Sequence, residues 1–380
     1  MTKSSINTFN KIIAFMNSYS EGMSGGDLRF IEIAKRLNKF DWTIFTSLLG
    51  EKACEDRGLN SNFFVTTNEK QFKYVLYTYV KRIVKALMLI KKINTDQVGF
   101  LYSTSDFLPD VIPAFAIKMK NKNAKWVQLI FHQIPIRRFV PRFAQKISFI
   151  IIKRFVDLIV VDNSFLREEL VKQGFDHEKI RLNPPGIDIE YIKGIKPSKD
   201  VSYDAVYLGR LHPSKGIFDL IKIWKLVCQK KSESILAIIG DGRQKFKNKL
   251  NKEIYRFNLE NNIHLLGYLK DEKAISLLKS SKMFLFPSHE EGFGIAILQA
   301  LACGIPVIVW DLPVYRAVFT QGIIKIKIGD LQRFTDEIYG LLKSSELYQK
   351  VSRQVRNISF ENDWDNIAKK ELELISNLVR

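Results

Sequence analysis

The sequence predicts an α/β protein made of two doubly wound domains with parallel sheets. The chain has 380 residues, more than a single ordinary core accommodates. Short apolar runs alternate with amphipathic helical stretches in both halves, as in parallel sheets covered by helices. The alternation is interrupted by Asn183-Pro184-Pro185-Gly186 and a following polar stretch, and then restarts. We therefore expect domains at residues 1–195 and 196–358, with ligands bound in a cleft between them.

Each half contains five predicted strands. In the first half they are Lys11–Asn17, Trp42–Thr46, Gly99–Tyr102, Trp126–Phe131 and Leu158–Val161. In the second half they are Ala205–Leu208, Ile235–Ile239, Ile263–Leu266, Met283–Phe286 and Val307–Val309. The helical stretches between them include Asp27–Leu37, Tyr74–Ile90, Ser164–Gln173, Lys215–Gln229, Phe246–Asn258, Glu272–Ser280 and Ile295–Ala302.

Composition and cysteine usage indicate a cytoplasmic protein. Hydrophobic residues make up 46% and charged residues 26% of the chain, as in ordinary globular proteins. The first residues do not form a signal-peptide pattern, and no apolar run approaches the roughly 20 residues that span a bilayer. The three cysteines are scattered, which favours a reducing compartment over a disulfide framework or a metal site.

Positive charge is concentrated in the first half. The net charge is +19, and residues 70–154 hold 17 Lys/Arg against three acids. Lys70–Ile93 is basic, with Phe72, Val75, Leu76, Tyr79, Val80, Ile83, Leu87 and Ile90 at helical spacing, and Ile136–Arg154 is basic with Phe139, Phe143 and Phe149. Such segments suit an anionic membrane surface, although the apolar stripe can equally pack on the sheet and leave a solvated lysine-rich face. No recognition motif supports nucleic-acid binding.

A glycine pair, Gly25-Gly26, follows the first strand and precedes a helix. Glycines allow the backbone to approach a phosphate, and a helix N-terminus offers free N–H groups. The pattern fits a phosphate contact or a flexible turn, since it is not the full dinucleotide fingerprint.

Two loops at strand ends in the second half carry further candidates. In Gly209-Arg210 and Lys215-Gly216, the two basic side chains flank a strand-to-helix turn and could bind one anion. Gly240-Asp241-Gly242 ends the next strand and suits either a turn beside a ligand or a plain structural turn.

The strongest candidate is the segment Pro287–Ile295, which follows a buried strand and leads into a helix. Glu291 near the helix N-terminus could accept hydrogen bonds from sugar hydroxyls, and the N–H groups of Phe293, Gly294 and Ile295 could face a diphosphate. Gln299 lies eight positions after Glu291, about two helical turns, so both side chains are expected on one side.

One histidine, His132, ends a predicted strand of the first half and is expected to face the cleft. A histidine there can serve acid–base chemistry or satisfy a structural role.

These segments, in this order, resemble the retaining nucleotide-sugar glycosyltransferases of family GT4, which have the GT-B fold. The resemblance covers most of the chain. The segments that carry it are Gly25-Gly26, Ile33–Leu37, Asn183–Asp188, Gly209-Arg210, Lys215-Gly216, Gly240–Gly242, Phe286–Ser288, Glu291–Gly294 and Ala302–Val307. The segment 359–380, with Trp364, resembles the family's closing helix, which packs back towards the first domain.

The resemblance implies a role for each candidate residue. Arg210 and Lys215 would bind the donor diphosphate and offset charge on the leaving nucleotide. Glu291 matches the first acid of the family's E-x7-E motif and would contact the donor sugar. His132 matches a histidine near the transferred sugar, and Gly25 and Gly26 would let the first domain reach the donor phosphates.

The chain departs from the family at Gln299, where the motif has its second acid. Glutamine retains an acceptor for a ribose hydroxyl but removes the charge, so altered nucleotide recognition is expected.

The resemblance further implies retaining transfer without a bound metal or other cofactor, because no Asp-x-Asp-like motif occurs among these blocks. The implied partners are a nucleotide sugar and a glycan acceptor. Because the first domain of this fold usually binds the acceptor, the basic amphipathic segments further predict a lipid-linked acceptor and peripheral binding at the cytoplasmic face of an anionic membrane. A sugar phosphorylase of the same architecture and a non-catalytic nucleotide-sugar-binding protein remain as alternatives.

Overall fold

The computed structural model describes residues 10–19, 22–68, 75–134, 139–199, 201–356 and 361–379. The chain forms two compact units. Unit 1 consists of two segments of the chain, one that ends at Gly186 and one that begins at Trp364. Unit 2 is the segment between them, Ile187–Asp363. Unit 1 ends within the Pro-Pro-Gly segment at which the sequence pattern is interrupted.

Unit 1 is a seven-stranded sheet covered by helices. Its strands are β1 (Lys11–Met16), β2 (Asp41–Thr46), β3 (Asn62–Val65), β4 (Phe100–Ser103), β5 (Lys125–Ile130), β6 (Leu158–Val161) and β7 (Ile180–Leu182). Its helices before the linker are α1 (Gly25–Arg36), α2 (Leu48–Glu55), α3 (Val75–Ile90), α4 (Leu108–Lys120), α5 (Phe139–Phe155) and α6 (Ser164–Lys172).

Unit 2 contains a six-stranded sheet. Its strands are β8 (Ala205–Leu208), β9 (Leu236–Ile239), β10 (Ile263–Gly267), β11 (Phe284–Phe286), β12 (Val307–Trp310) and β13 (Ile323–Ile326). Its helices are α7 (Ile189–Gly194), α8 (Ile217–Lys230), α9 (Gln244–Arg256), α10 (Asp271–Lys279), α11 (Ile295–Ala302), α12 (Pro313–Val318), α13 (Leu331–Lys343) and α14 (Ser345–Arg356). The last helix, α15 (Trp364–Ser376), belongs to unit 1.

Both sheets are parallel and doubly wound. The order in unit 1 is β3-β2-β1-β4-β5-β6-β7, and in unit 2 it is β10-β9-β8-β11-β12-β13. The strand order reverses between β1 and β4 and between β8 and β11, which leaves a crevice at the carboxyl ends of each pair. The predicted fold class is confirmed.

Burial explains how the chain forms these layers. In unit 1, helices α3 to α6 pack on one face of the sheet, and α1, α2 and α15 pack on the other. The central strands are buried on both faces, which is why they read as continuous apolar runs. A buried ion pair of 2.7 Å between Arg29 on α1 and Glu371 on α15 joins these two helices.

All ten predicted strands occur, with ends shifted by at most one residue, and three strands were not predicted. The three are β3, β7 and β13, and each lies at the edge of its sheet. Edge strands are covered on fewer sides, so their sequences are less apolar, as the half-buried side chains of β3 and β13 show.

Several predicted positions lie outside the described residues. These are Lys70, Phe72, Lys73, Tyr74, residues 136–138, Phe360 and Arg380. Within the described part of the chain, no helix combines the length and the apolar character needed to cross a membrane.

Candidate active site

The crevice of unit 2 gathers most of the predicted donor-site residues. Gly209 and Arg210 directly follow β8, and the segment Pro287–Gly294 connects β11 to α11. Because β8 and β11 are hydrogen-bonded neighbours at the strand-order reversal, both segments emerge at the same edge of the sheet. Doubly wound sheets bind their ligands at this point.

The loops after β8 and β9 are held together by backbone contacts. Leu211 N–H donates to the carbonyl of Asp241 over 2.9 Å. Gly240 has φ of 141°, and a Cβ added there would lie 1.9 Å from the carbonyl oxygen of Gly209. Only glycine permits this approach, so the structure brings the predicted Gly209-Arg210 and Gly240–Gly242 segments side by side.

A second close approach joins the loop after β8 to the segment after β11. Gly216 caps α8 in the left-handed conformation, with φ of 69°, and an added Cβ would lie 1.6 Å from the carbonyl oxygen of Pro287. His289 N–H and Ser288 Oγ both donate to the carbonyl of Ser214, over 2.8 and 3.1 Å. The turn that carries Lys215 is thus fixed against the segment that carries Glu291.

This arrangement brings Lys215 and Glu291 into direct contact. Lys215 Nζ donates to Glu291 Oε1 over 2.5 Å and to the carbonyl of Glu290 over 3.2 Å. The two side chains are only 15% and 11% exposed. A cation and an anion therefore compensate each other at the crevice, where a donor would present both phosphate oxygens and sugar hydroxyls.

Arg210 is placed differently from Lys215. Its side chain is exposed, and among the described residues its guanidinium makes no hydrogen bond or ion pair. The hydroxyl of Tyr207 donates to the Arg210 carbonyl over 3.0 Å. Burial and the nearby Glu291 carboxylate raise the pKa of Tyr207, with Arg210 opposing them, so this hydroxyl stays protonated as a donor.

The helix after Glu291 has the predicted bounds, so it begins four residues after Glu291. Gly294 is left-handed, with φ of 107° and ψ of 53°, and α11 begins at Ile295. The count of two helical turns from Glu291 to Gln299 was therefore wrong, because Glu291–Gly294 is not helical. Gln299 lies half-buried within α11, and the N–H group of Ile295, the first residue of that helix, has no acceptor within the helix.

Other side chains around Glu291 and Asp241 are engaged within their own loops. Phe293 is buried edge-to-face against Phe319, with ring centroids 5.8 Å apart. Asp241 accepts from Lys247 over 2.9 Å and from Gly242 N–H over 2.7 Å. The hydrogen bond from Lys247, together with that from Gly242, lowers the pKa of Asp241 and keeps it ionised.

The predicted residues of unit 1 follow the sheet of that unit. Gly25 and Gly26 are the first two residues of α1, which begins with a capping box between Ser24 and Asp27. A Cβ on Gly26 would lie 2.3 Å from the ring of Phe131, the residue before His132. The glycine pair and His132 are therefore neighbours at one edge of the sheet.

His132 is held through its backbone by a glutamine that the sequence did not single out. Gln145 Nε2 donates to the His132 carbonyl over 3.1 Å and to Asp106 Oδ2 over 2.6 Å, and its Oε1 accepts from Ile134 N–H over 3.0 Å. Only the contact between α5 and the strand end reveals this role, because nothing in the local sequence marks Gln145.

Three buried carboxyl groups in unit 1 were also missed. Burial raises the pKa of Asp106 to about 6 and the pKa values of Asp110 and Asp162 to about 7. Asp110 accepts from the N–H groups of Asn17 and Ser18, which ties β1 to α4. Asp162 directly follows β6 and Asp106 lies shortly after β4, which the sequence could have indicated, but the burial of a carboxyl group depends on tertiary contacts.

Comparison with known proteins finds a family model that matches part of the chain and several related glycosyltransferases. Residues 188–358 match the family model described as Glycosyl transferases group 1. An uncharacterised glycosyltransferase of Methanocaldococcus jannaschii is 28% identical over 64% of this chain and 63% of its own length. The O-antigen chain mannosyltransferase RfbU of Salmonella typhimurium is 24% identical over 75% of this chain and 84% of its own length. Matches to three further relatives span 26% to 52% of those proteins.

The fold agrees with solved structures. HepE of Anabaena, in complex with UDP and glucose, has a TM-score of 0.80 and 17% identity over 97% of this chain and 99% of that one. This likeness establishes the two-domain architecture of the GT-B type. Residues 188–358 thus resemble the family Glycosyl transferases group 1, in agreement with the resemblance inferred from the sequence motifs, and the chain has a GT-B fold.

Proposed function

We propose that this protein transfers a sugar from a nucleotide-diphosphate-sugar donor to an acceptor with retention of configuration, as a GT4-type enzyme. The observation that carries the proposal is the contact between Lys215 and Glu291 at the crevice between β8 and β11. One side chain suits a phosphate oxygen and the other a sugar hydroxyl, and they sit where doubly wound sheets bind nucleotides.

The donor would bind chiefly to unit 2. Lys215 would turn from Glu291 to the diphosphate, and the exposed Arg210 would add a bidentate contact. The N–H groups of Phe293, Gly294 and Ile295 would receive phosphate oxygens at the start of α11. Gln299 would meet the ribose, with Gly240–Gly242 alongside.

The reaction would then proceed at the anomeric carbon. The acceptor oxygen forms a bond to that carbon on the face from which the diphosphate leaves, the carbon–oxygen bond to the phosphate breaks, and the acceptor proton passes to the leaving phosphate. Arg210, Lys215 and the helix N–H groups would stabilise the departing charge, so we propose no metal or other cofactor. His132, Gly25 and Gly26 would act from unit 1.

The acceptor is proposed to be a lipid-linked or membrane-associated glycan, with the protein bound peripherally at the cytoplasmic face. The excess of basic residues in the first half supports this, and so does the similarity to an O-antigen chain mannosyltransferase. Both point to glycan biosynthesis near an anionic surface.

The experiment that tests the donor assignment is a thermal-shift screen of UDP-, GDP- and ADP-sugars, followed by transfer assays with the best binder. Lys215→Ala should abolish transfer while leaving the fold intact. Lys252→Ala, at an exposed lysine on α9, is the matched control and should transfer normally. Near-normal turnover of Lys215→Ala, or strict dependence on an added divalent metal, would contradict the proposal.

The same assays separate the alternatives. A phosphorylase would turn over a sugar-1-phosphate with an acceptor, and a non-catalytic protein would show a thermal shift without transfer.

A further inference from the structure

Two helices of unit 1 expose rows of large apolar side chains. These side chains, 38% to 71% exposed, are Leu76, Tyr77, Val80, Val84 and Met88 on α3 and Val140, Phe143, Ile147 and Ile150 on α5. We refer to them as the exposed stripes. The two helices have 16 and 17 residues, yet they carry nine of the 21 exposed large apolar side chains among the described residues. Single exposed apolar residues are ordinary, but such concentration is not.

Helix α3 is apolar on two sides. Leu76, Val80, Val84 and Met88 follow one another at intervals of four and are exposed, whereas Ala86 and Ile90 are buried in the core under the sheet. The predicted stripe on this segment combined both sides, so it was right that part of it packs on the sheet. The exposed side has no such partner within the described residues.

Helix α5 repeats the pattern. Val140, Phe143, Ile147 and Ile150 recur at intervals of three and four, which is one side of a helix, while Ile152 and the predicted Phe149 are buried. The side chain of the predicted Phe139 lies outside the described residues.

The two exposed stripes lie on the same side of unit 1. Both α3 and α5 pack against α4, which lies between them, and all three cover the same face of the sheet. Helix α4 adds Met119, 47% exposed, to the outer surface of this layer. The layer therefore carries an exposed stripe on each of its outer helices, α3 and α5, and one exposed methionine on α4 between them.

The charge around the stripes is positive. Lys85, Lys91 and Lys92 on or after α3, and Lys146, Lys153 and Arg154 on α5, are exposed. Of the three acids between Lys70 and Arg154, Asp106 and Asp110 are buried, so they offer no surface charge against these cations. Only Asp96 is exposed.

We propose that the exposed stripes of α3 and α5 dock on an anionic phospholipid bilayer, with their apolar side chains in the interface and the lysines against headgroup phosphates. Apolar rows flanked by cations, with Asp96 as the one exposed acid between residues 70 and 154, match this occupant. A second copy of the chain would instead bring like charges together. The docking rests on the proposed function and deepens it, because it names the surface through which the protein would bind peripherally and reach a membrane-bound acceptor.

The docking is tested by co-sedimentation of the full chain with vesicles at about 150 mM salt. Vesicles of phosphatidylcholine with about one-third phosphatidylglycerol should bind the protein, and vesicles of phosphatidylcholine alone should bind it at least roughly tenfold more weakly. Replacing the stripes with glutamine at Val84, Met88, Phe143 and Ile150 should lower binding to the anionic vesicles roughly tenfold or more.

The contribution of charge is tested with the double variant Lys85→Gln with Lys146→Gln, which should lower binding to the anionic vesicles roughly tenfold. Its matched control, Lys252→Gln with Lys350→Gln, removes the same charge from exposed positions of unit 2 and should bind as the native protein does. The control for the glutamine variant of the stripes is Tyr255→Gln with Tyr268→Gln, at exposed aromatic residues of unit 2, and it should bind as the native protein does.

Three results would overturn the proposal. They are no binding of the native chain to anionic vesicles, unchanged binding of the glutamine variant of the stripes, and a native dimer that this variant converts to a monomer. Each variant should keep the native thermal shift with its nucleotide sugar. A loss of vesicle binding with that shift intact concerns docking alone, whereas absence of any shift in the native chain concerns the proposed function.

Discussion

Lys215 Nζ lies 2.5 Å from Glu291 Oε1 and also donates to the backbone carbonyl of Glu290. The cation that the family motif assigns to the donor diphosphate is thus bound to the acid assigned to the donor sugar. A donor would have to take the ammonium away from this carboxylate or share it. In the proposed function, the pair would therefore set the strength of diphosphate binding as well as the position of both groups.

The first prediction concerns the competition within this pair. Glu291→Gln keeps the shape of the side chain but removes the charge that holds Lys215, so a free nucleoside diphosphate should bind about three- to tenfold more tightly. Turnover should fall at least roughly tenfold, because the carboxylate is lost from the sugar site. Calorimetric titration and initial rates measure the two effects, and Glu290→Gln is the neighbouring control. Weaker diphosphate binding by Glu291→Gln would show that the pair does not compete with the donor.

The second prediction tests the close approach at Gly216. Gly216→Ala would place a Cβ 1.6 Å from the Pro287 carbonyl oxygen, so the segment that carries Glu291 must move. We expect a loss of stability of roughly 3 kcal/mol or more and loss of the donor thermal shift.

Gly267→Ala is a matched control because its φ of 68° equals that of Gly216 within a degree, yet an added Cβ meets nothing within 4 Å. It should cost only about 1–2 kcal/mol, the ordinary penalty for a left-handed side chain. Equal losses of stability in the two variants would mean that backbone conformation, and not the contact with Pro287, makes glycine necessary.

The third prediction concerns Gln299, where the chain departs from the acidic motif. Gln299→Glu should lower the KM for the nucleotide sugar about fivefold with little change in kcat, because a carboxylate makes a stronger, charge-assisted hydrogen bond to a ribose hydroxyl. Gln299→Ala should raise the KM. If all three side chains give the same KM, Gln299 does not contact the donor.

The parallel α/β architecture was predictable because its signal is local. Nine of the ten predicted strands lie inside their sheets, and their residues are apolar because both faces of the sheet are covered. The tenth, β10, lies at an edge and was predicted from the run Ile263–Leu266. The glycine turns could also be predicted from a local signal, because Gly216 and Gly240 stand at turns that other residues do not tolerate. The edge strands β3, β7 and β13 lack this signal.

The contacts of the candidate site were less predictable because they join distant parts of the chain. Lys215 and Glu291 are separated by 76 residues, and their contact depends on how the turn before α8 meets the segment after β11. Gln145 and Asp106 gain their roles only through tertiary contact at the strand end near His132. The error over Gln299 had a different origin: helical turns were counted from Glu291, although the predicted and observed helix begins only at Ile295, after the left-handed Gly294.

The last prediction concerns pH and the buried carboxyl group of Asp162. Burial raises its pKa to about 7, while Arg29 opposes the shift and Glu371 adds to it. Its Oδ1 has no hydrogen-bond partner among the described residues. Because the folded protein holds this proton more tightly than the unfolded chain, the free energy of unfolding should fall as pH rises from about 4 to about 7 and level off above that.

Asp162→Asn keeps the shape of the side chain and removes the ionisation, so its stability relative to the native chain should improve with pH. The gain between pH 5 and pH 8 should be at most about 3 kcal/mol, because roughly two pH units of this interval lie below the pKa of about 7. Urea unfolding at both pH values measures it, with the exposed Asp56→Asn as a control of equal charge change. The fall in the free energy of unfolding with pH should persist in part in Asp162→Asn, because burial raises the pKa values of Asp106 and Asp110 as well. A relative stability that does not change with pH would show that Asp162 is ionised in the folded protein across this range, held so by Arg29.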